Sequence, residues 1–375
     1  MMIWREGTVL EERKRWGQAV EYRVKVHRTG DADPLPEEAR ALAYTPQVGE
    51  AQGGDRVLLS ASALMRGLGT GGYMLIVAIP DRLPADPPAQ PGHLVKARYT
   101  PSQFMVQGVD EQESEYHAVL EDADTIDGLQ VIAADLHSAV PAIACAIHSY
   151  APSARIAYVM NDGGALPAWF SQAIVGMSEY GLIHSTITCG QAYGGDYEAV
   201  NIYTALLAAR HVCQADIAIV SQGPGNLGTG TRWGFSGVNV GEALNAAGIL
   251  KGRPVAALRL SNADRRGRHY GISHHSLRVL KDILTQPTAI PVPVFSAQDE
   301  LSALLSDDFL VKFTRGLSEL RSSSLLNMSE ISTLGLTDIL THCPVALRTM
   351  GRTLHEDPAS FLGAAVAGVY AARNI

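Results

Sequence analysis

The chain has 375 residues, of which 46% are apolar and 18% charged, and its formal net charge is −8 at pH 7. These values exclude an intrinsically disordered chain, and the length favours two domains over one. The negative charge also excludes a general nucleic-acid-binding protein, whose surface would be basic.

The N-terminal stretch bears on localisation. Residues 1–16 are charged early and lack the apolar core of a signal peptide, and no segment reaches the ~20 apolar residues of a membrane span. The four cysteines lack the CxxC spacing of zinc and redox sites, so we expect reduced thiols. The sequence therefore predicts a cytoplasmic protein without a membrane partner.

Residues 1–120 are predicted to form a small β-rich domain, built as a barrel or a sandwich. Gln18–His27 alternates apolar and polar side chains as a half-buried strand does, and Asp55–Ser60 and Gly72–Ile79 are further short apolar runs after glycine-rich turns. The acidic segment Glu121–Asp127 is interpreted as the crossing to the second domain.

Residues 128–375 are predicted to form a Rossmann-like, mostly parallel α/β/α domain with additional C-terminal helices. Apolar runs of strand length alternate here with alanine-rich helical stretches, which is typical of βαβ units. The predicted strands are Leu129–Ala134, Arg155–Met160, Ile183–Thr188, Asp216–Val220, Pro254–Leu260 and Pro291–Phe295. The predicted helices lie near 138–149, 167–180, 198–213, 240–251 and 274–285. A last helix over 361–371 consists of small residues and needs a close partner, either the sheet or a second subunit of a homo-oligomer.

Turn-forming and chemically reactive residues concentrate on one edge of this predicted sheet. The loops 161–164, 190–198, 222–236 and 262–275 each follow a predicted strand, whereas the opposite connections are short and ordinary. In open α/β sheets, ligands bind beyond the C-terminal ends of the strands. We therefore expect these four loops to meet in one cleft.

The loop 221–237 is rich in glycine and follows a predicted strand. Its segment Gly223–Gly228 spells GxGxxG, which occurs in dinucleotide-binding turns, but an anion cradle of backbone amides and a flexible loop fit the same residues. No GKS or GKT is present, which excludes a P-loop. The residues predicted to bind an anionic ligand through this loop are Gly223, Gly225, Gly228 and Gly230.

The position of the next helix argues against a dinucleotide. Asn239 and Glu242 resemble a capping box, so the helix is predicted to begin near Val240 rather than at the glycines. The acidic residue that binds the ribose is expected ~20 positions after the glycines. Asp264, the available candidate and therefore a predicted ligand-binding residue, lies 36 residues after Gly228.

Three arginines lie close together in an otherwise acidic protein. Arg265, Arg266 and Arg268 stand beside His269 on the loop after the fifth predicted strand. Guanidinium groups bind carboxylates and phosphates bidentately, so we predict that these arginines bind the same anionic ligand. A solvated surface loop is the alternative.

Two adjacent histidines begin the predicted helix 274–285. Ser273 is a natural N-cap, which places His274 and His275 in the first turn, where the helix dipole disfavours a positive charge. A neutral imidazole can act as a metal ligand, or as a general base or acid that is oriented by a carboxylate from a neighbouring loop. The predicted catalytic residues are His274, His275, Asp162 and Asp196. No HExxH pair is present, so no metal site is predicted, and no cofactor is assigned.

Cys189 also ends a predicted strand. A pair of this thiol with one of the two histidines would make a nucleophile, but a buried structural thiol is the expectation.

Four motifs together resemble an uncharacterised bacterial family, a domain of unknown function. They are Asn161–Pro167 (NDGGALP), Gly190–Asn201 (GQAYGGDYEAVN), Gly223–Thr231 (GPGNLGTGT) and Ser273–Ser276 (SHHS). The likeness extends over most of the chain. Because the family has no established activity, the resemblance implies that these loops belong together and implies no chemistry.

The functional hypothesis is an enzyme, a hydrolase or group transferase, that acts on a small phosphorylated or carboxylated ligand. The alternative is a ligand-sensing or binding protein without turnover. A dinucleotide-dependent enzyme is the third hypothesis, and the late helix start argues against it.

Overall fold

The computed structural model describes residues 2–30, 33–68 and 71–375. The chain divides into two compact units, 1–90 and 91–375. The boundary therefore lies between residues 90 and 91. The sequence had predicted it later, at the acidic segment 121–127. The reason is that residues 91–127 are tied to the larger unit: Lys96 Nζ lies 3.5 Å from Glu198 Oε2, and the Val109 amide donates to the Glu198 carbonyl.

The first unit is a closed barrel with the strand order β1-β2-β3-β5-β4. Its elements are β1 (Trp4–Trp16), β2 (Ala19–His27), β3 (Glu38–Tyr44), β4 (Arg56–Ser60) and β5 (Met74–Ala78), with the helical turns α1 (Thr45–Val48) and α2 (Ser62–Met65). Register shifts at Val9/Glu11 and Glu12/Lys14 bend the long β1, which pairs with both β2 and β4. Tyr22, Leu59 and Met74 belong to its buried core. The predicted β-rich unit is confirmed, and of the two predicted alternatives it is the barrel.

The second unit is built on an eight-stranded sheet with the order β11-β10-β9-β12-β8-β13-β16-β17, in which every pairing is parallel. Three short antiparallel hairpins, β6–β7, β14–β15 and β18–β19, complete its strands. The strands are β6 (Leu94–Lys96), β7 (Phe104–Val106), β8 (Gln130–Ala134), β9 (Ile156–Asp162), β10 (Ser185–Gly190), β11 (Tyr197–Glu198), β12 (Ile217–Ser221), β13 (Arg253–Ala257), β14 (Leu260–Ser261), β15 (Gly271–Ile272), β16 (Thr288–Val294), β17 (Leu326–Ser332), β18 (Arg348–Thr349) and β19 (Arg352–Thr353).

Helices cover both faces of this sheet. They are α3 (His117–Leu120), α4 (Val140–Tyr150), α5 (Gln172–Glu179), α6 (Ile202–His211), α7 (Asn239–Ile249), α8 (His274–Asp282), α9 (Asp307–Leu320), α10 (Leu336–Thr341) and α11 (Pro358–Arg373). Successive strand residues point to opposite faces, so Val131 joins the core under α6–α9, and Ile132 joins the core under α4, α5, α10 and α11. The predicted Rossmann-like α/β/α architecture is confirmed.

The small residues of α11 allow a close approach to α4. A Cβ atom added at Gly368 would lie 2.4 Å from the carbonyl oxygen of Ile143, and one at Gly363 would lie 2.7 Å from Leu260 Cδ1. The small residues of this helix therefore pack closely against α4 and against Leu260, within the same chain.

The helix after the glycine-rich loop begins where the sequence predicted. A 3₁₀ turn, Ser236–Val238, leads into α7 at Asn239. The predicted capping box does not form, because Asn239 already has helical geometry and the N-cap position falls on Val238, which makes no side-chain cap. Among the described residues, no helix is both long and apolar enough to cross a membrane.

Candidate functional site

Two adjoining clefts open at the C-terminal ends of the central strands β8, β12 and β13. They have volumes of about 220 and 270 Å³, which include their open mouths, and they share Gly237 and Val240. The first is lined by Ala134, Asn161, Val220, Ser221, Gln222, Gly237, Asn239 and Val240, and the second by Asp135, Gly237, Val240, Ala256, Ala257, His275, Ser276, Val279 and Leu280.

Asp135 is the buried centre of this edge. It directly follows β8, and its Oδ2 accepts a hydrogen bond from Arg259 Nη1 at 2.6 Å and lies 3.1 Å from His275 Nδ1. Its Oδ1 accepts from Asn226 Nδ2 at 2.9 Å, and its carbonyl accepts from Gln222 Nε2 at 2.9 Å. The carboxylate therefore joins the glycine-rich loop, the segment between β13 and β14, and α8 at one point.

The surroundings of Asp135 keep its carboxyl group ionised. Burial has the largest effect and opposes ionisation, but the hydrogen bond from His275 and the charge of Arg259 outweigh it and lower the pKa of Asp135. An ionised carboxylate only accepts hydrogen bonds, so with Asp135 as its partner the Nδ1 atom of His275 carries the proton. Arg259 Nη1 also lies 3.1 Å from this nitrogen, but it donates to Asp135 Oδ2 at 2.6 Å. That tautomer leaves the lone pair of this imidazole on Nε2.

Two residues of the glycine-rich loop shape the site around this pair. A Cβ atom at Gly237 would lie 2.1 Å from Asp135 Oδ1, so only glycine fits at this position. The ring of Phe235 stacks on His275 with centroids 4.0 Å apart and an interplanar angle of 12°. The loop thus covers one face of the imidazole.

Three histidines lie together at the start of α8. One ring nitrogen each of His269, His274 and His275 lies within 4.8 Å of the other two. The N-cap residue Ser273 places this cluster, because its hydroxyl accepts from the amide of His275 and lies 2.8 Å from His269 Nδ1. The predicted N-cap is confirmed. Nδ1 of His274 is buried and has no hydrogen-bond partner among the described residues.

Two of these imidazoles are neutral at physiological pH. Burial, and then the charges of Arg259 and Arg266, lower the pKa of His269 to about 3. Burial, and then the charges of His275 and Arg268, lower the pKa of His274 to about 4. Their nitrogen lone pairs are therefore available without loss of a proton.

The glycine-rich loop uses many of its own amides. The Gly223 amide donates to Asp162 Oδ2 at 3.1 Å, and the Thr229 amide donates to the Gly234 carbonyl at 2.7 Å. Further bonds join Leu227 to Ser236 in both directions. An anion cradle in this loop would therefore rely on the amides of Gly225, Gly228 and Gly230.

The two carboxylates predicted to orient the histidines bond elsewhere. Asp162 accepts from the amides of Gly164 and Gly223, and Asp196 accepts from the amide and hydroxyl of Thr186. Strand order explains this: β9 and β10 stand two and three places from β8, or roughly 10 and 14 Å at the usual strand spacing. The loops 161–164 and 222–236 do meet, but the carboxylate on His275 is Asp135.

One arginine of the basic loop 262–275 is already paired with a carboxylate of the same loop. Asp264 is buried and binds Arg266 through both carboxylate oxygens, at 2.9 and 2.7 Å, so it anchors the loop, and this contact lowers its pKa. Arg265 and Arg268 are exposed. Arg268 Nε lies 3.5 Å from His269 Nε2, which places this guanidinium beside the histidine cluster.

The buried arginine of the site is Arg259, which the sequence analysis missed. It was the one charged residue in the apolar run predicted as Pro254–Leu260, and that isolation is the signal that could have identified it. Asp135 was similarly visible as the acidic residue directly after the first strand of the sheet.

Cys189 is a structural thiol in this fold. It is fully buried, and burial raises its pKa to about 12, so it carries no thiolate.

A second group of buried charges lies near the end of β10. Lys96 is fully buried and donates to the carbonyls of Gly190 and Ala199 at 3.0 and 3.2 Å, with Glu198 as its ionic partner. Burial lowers the pKa of Lys96 and raises that of Glu198 to about 7. This pair fastens the β6–β7 hairpin to the sheet, and the sequence analysis did not identify it.

Comparison with known proteins places the chain in a family. No curated protein matches it significantly. The family described as "Protein of unknown function (DUF3866)" matches residues 40–368, which include the second part of the first unit, nearly all of the second unit and every loop of the candidate site. The chain therefore belongs to this family.

Proposed function

We propose that this protein is an enzyme, a hydrolase or group transferase, that acts on a small phosphorylated or carboxylated ligand at the edge formed by Asp135, Arg259 and His275. The observation that carries the proposal is the contact of 3.1 Å between Asp135 Oδ2 and His275 Nδ1. A buried carboxylate that fixes the tautomer of a histidine directs the lone pair of the other ring nitrogen outward. This lone pair on Nε2 is the reactive group of the proposed site.

Positive charge around the pair supports an anionic ligand. Arg268 is exposed beside the histidines, and α8 begins at His274, so the positive end of its dipole faces the same place. Arg259 is held by Asp135, which fixes its guanidinium without removing its remaining donors. In this proposal Asp135 takes the orienting role that the sequence analysis gave to Asp162 or Asp196.

A ligand screen followed by a turnover assay tests the proposal. Phosphates, nucleotides and small carboxylates are tested for a rise in melting temperature, because a ligand that binds only the native state stabilises it. The proposal expects an anionic compound that stabilises the protein and is then consumed. A compound that binds without being consumed supports the binding-protein alternative, and a shift confined to nicotinamide or flavin compounds supports a dinucleotide enzyme.

A further inference from the structure

We infer that His269, His274 and His275 form a binding site for a divalent transition-metal ion, with Zn²⁺ as the best match. The inference rests on the proposed function and changes one role in it, because a metal ion would take the His275 Nε2 lone pair that would otherwise accept a proton. Its geometric basis is independent of any substrate. One ring nitrogen from each histidine lies within 4.8 Å of the others.

The second nitrogen of two rings is already held by the protein. His275 Nδ1 faces Asp135 Oδ2 at 3.1 Å, and His269 Nδ1 faces Ser273 Oγ at 2.8 Å. Histidine ligands of metals usually have their non-ligating nitrogen bound in this manner, to a carboxylate or another oxygen, which fixes the tautomer and the ring orientation. Both rings therefore present Nε2.

The third ring contributes an otherwise unexplained polar atom. Nδ1 of His274 is buried and has no hydrogen-bond partner among the residues that the structure describes. A buried nitrogen without a partner costs free energy, and a metal ion that accepts its lone pair removes that cost. His274 also stacks on His275, with ring centroids 4.4 Å apart, so one face of its ring is covered.

The distances suit a site that closes on the ion. Zn–N bonds of about 2.0–2.1 Å place the nitrogen atoms of two tetrahedral ligands roughly 3.4 Å apart. The three ring nitrogens lie within 4.8 Å of one another, so side-chain rotations that move them closer by about an ångström would complete the site. Imidazole ligands favour zinc, copper, nickel and iron over magnesium and calcium. Three protein ligands leave an open position for water or for an oxygen of the ligand, as in catalytic zinc sites.

Three arginines near the histidines oppose the binding of a cation. Arg259 is paired with Asp135 and Arg266 with Asp264. Arg268 reaches His269 Nε2 only through a long contact of 3.5 Å from an exposed side chain. An ion can displace that contact. The released guanidinium then stands beside the open position, where it would bind the negative charge of a metal-bound anion.

Metal titration of the full-length protein tests the inference without any substrate. The chelator-stripped protein is titrated with Zn²⁺ in competition with a chromophoric chelator, and with Co²⁺ while visible absorption is recorded. We expect one ion per chain and Co²⁺ bands typical of nitrogen ligands. His274→Gln and His269→Ala should each weaken Zn²⁺ at least 100-fold, Asp135→Asn should weaken it about 10–100-fold, and His342→Ala, an exposed control, should bind as the wild type does.

Two results would overturn the metal site. The first is that the folded wild-type protein binds less than a tenth of an equivalent of Zn²⁺ and of Co²⁺. This result is measured without any variant. The other is equal affinity in His274→Gln and His342→Ala. Because no anionic ligand is present, the titration can fail while the ligand screen succeeds, and the reverse, so the two proposals are separable.

Discussion

His275 Nδ1 lies 3.1 Å from Asp135 Oδ2, although 140 residues separate the two along the chain. Asp135 follows β8, and β8 lies next to β13 in the sheet. The chain that leaves β13 forms the β14–β15 hairpin and then begins α8, which places His275 beside the C-terminal end of β8. Arg259 completes the group by binding the same carboxylate oxygen. This contact joins the fold to the chemistry that we propose.

Removal of the Asp135 carboxylate should destabilise the protein strongly. Asp135→Ala leaves Arg259 buried without its ionic partner, and loss of one member of a buried pair costs about 3–5 kcal/mol. Urea unfolding of Asp135→Ala and of Asp338→Ala measures this cost. Asp338 contacts His342 at the same distance of 3.1 Å but both side chains are exposed, so that variant should lose less than about 1 kcal/mol. Equal losses would show that Asp135 is not a buried partner.

A methyl group at Gly237 should disturb the site from the backbone side. The added Cβ would lie 2.1 Å from Asp135 Oδ1, so Gly237→Ala forces the carboxylate or the loop to move, at a cost of about 1–3 kcal/mol. The free energy of unfolding and the ligand response are both measured. Gly163→Ala is the matched control, because no atom lies within 4 Å of its added Cβ and it needs no positive φ. An unchanged Gly237→Ala protein would contradict the packing described here.

The pair of Lys96 and Glu198 should make stability depend on pH. The folded pKa of Glu198 is about 7, above its usual value of 4.5, so between these pH values the folded chain holds a proton that the unfolded chain has lost. Glu198 therefore makes its full contribution to the free energy of unfolding below pH 4.5, and this contribution declines by about 3 kcal/mol as the pH rises to 7.

The matching measurement compares the wild type with Lys96→Met/Glu198→Gln, which lacks both groups. Chemical unfolding at several pH values should show the wild type losing stability relative to this variant as the pH rises from 4.5 to 7. Glu179→Gln, an exposed control, should follow the wild type. A constant difference across this range would contradict the raised pKa of Glu198.

Arg268 should contribute to ligand affinity and not to folding. Its side chain is exposed beside the histidines, so Arg268→Ala is expected to weaken an anionic ligand by about 1.5–3 kcal/mol, the range for hydrogen bonds to charged groups, with little change in melting temperature. Arg315→Ala, an exposed arginine on α9, is the control. Identical affinity in the two variants would remove Arg268 from the site.

The architecture was predictable because the buried strands are continuous apolar runs. Each predicted strand from Leu129–Ala134 to Pro291–Phe295 overlaps a strand of the sheet. The strand β17 (Leu326–Ser332) was missed because polar residues interrupt it, so it is not a continuous apolar run, and most of its residues are partly or fully exposed at the edge of the sheet.

The site was predictable only in part, because its key pairs depend on strand order. The sequence identified His274 and His275 from an N-cap serine and their position after a strand, which are local signals. The pairing of Asp135 with Arg259 spans 124 residues and follows from β13 lying next to β8, which periodicity does not specify. The same lack of strand order made Asp162 and Asp196 look like neighbours of the histidines.

A crystal structure of the full-length protein with the most stabilising anion from the screen would show whether the anion binds beside Asp135 and His275. We predict that the anion lies at the C-terminal edge of β8 and β13, with an oxygen about 3 Å from the guanidinium of Arg259 or Arg268 and close to the His275 ring. An anion bound at the opposite edge of the sheet, or in the barrel unit, with the Asp135–His275 edge empty at saturating concentration, would contradict it.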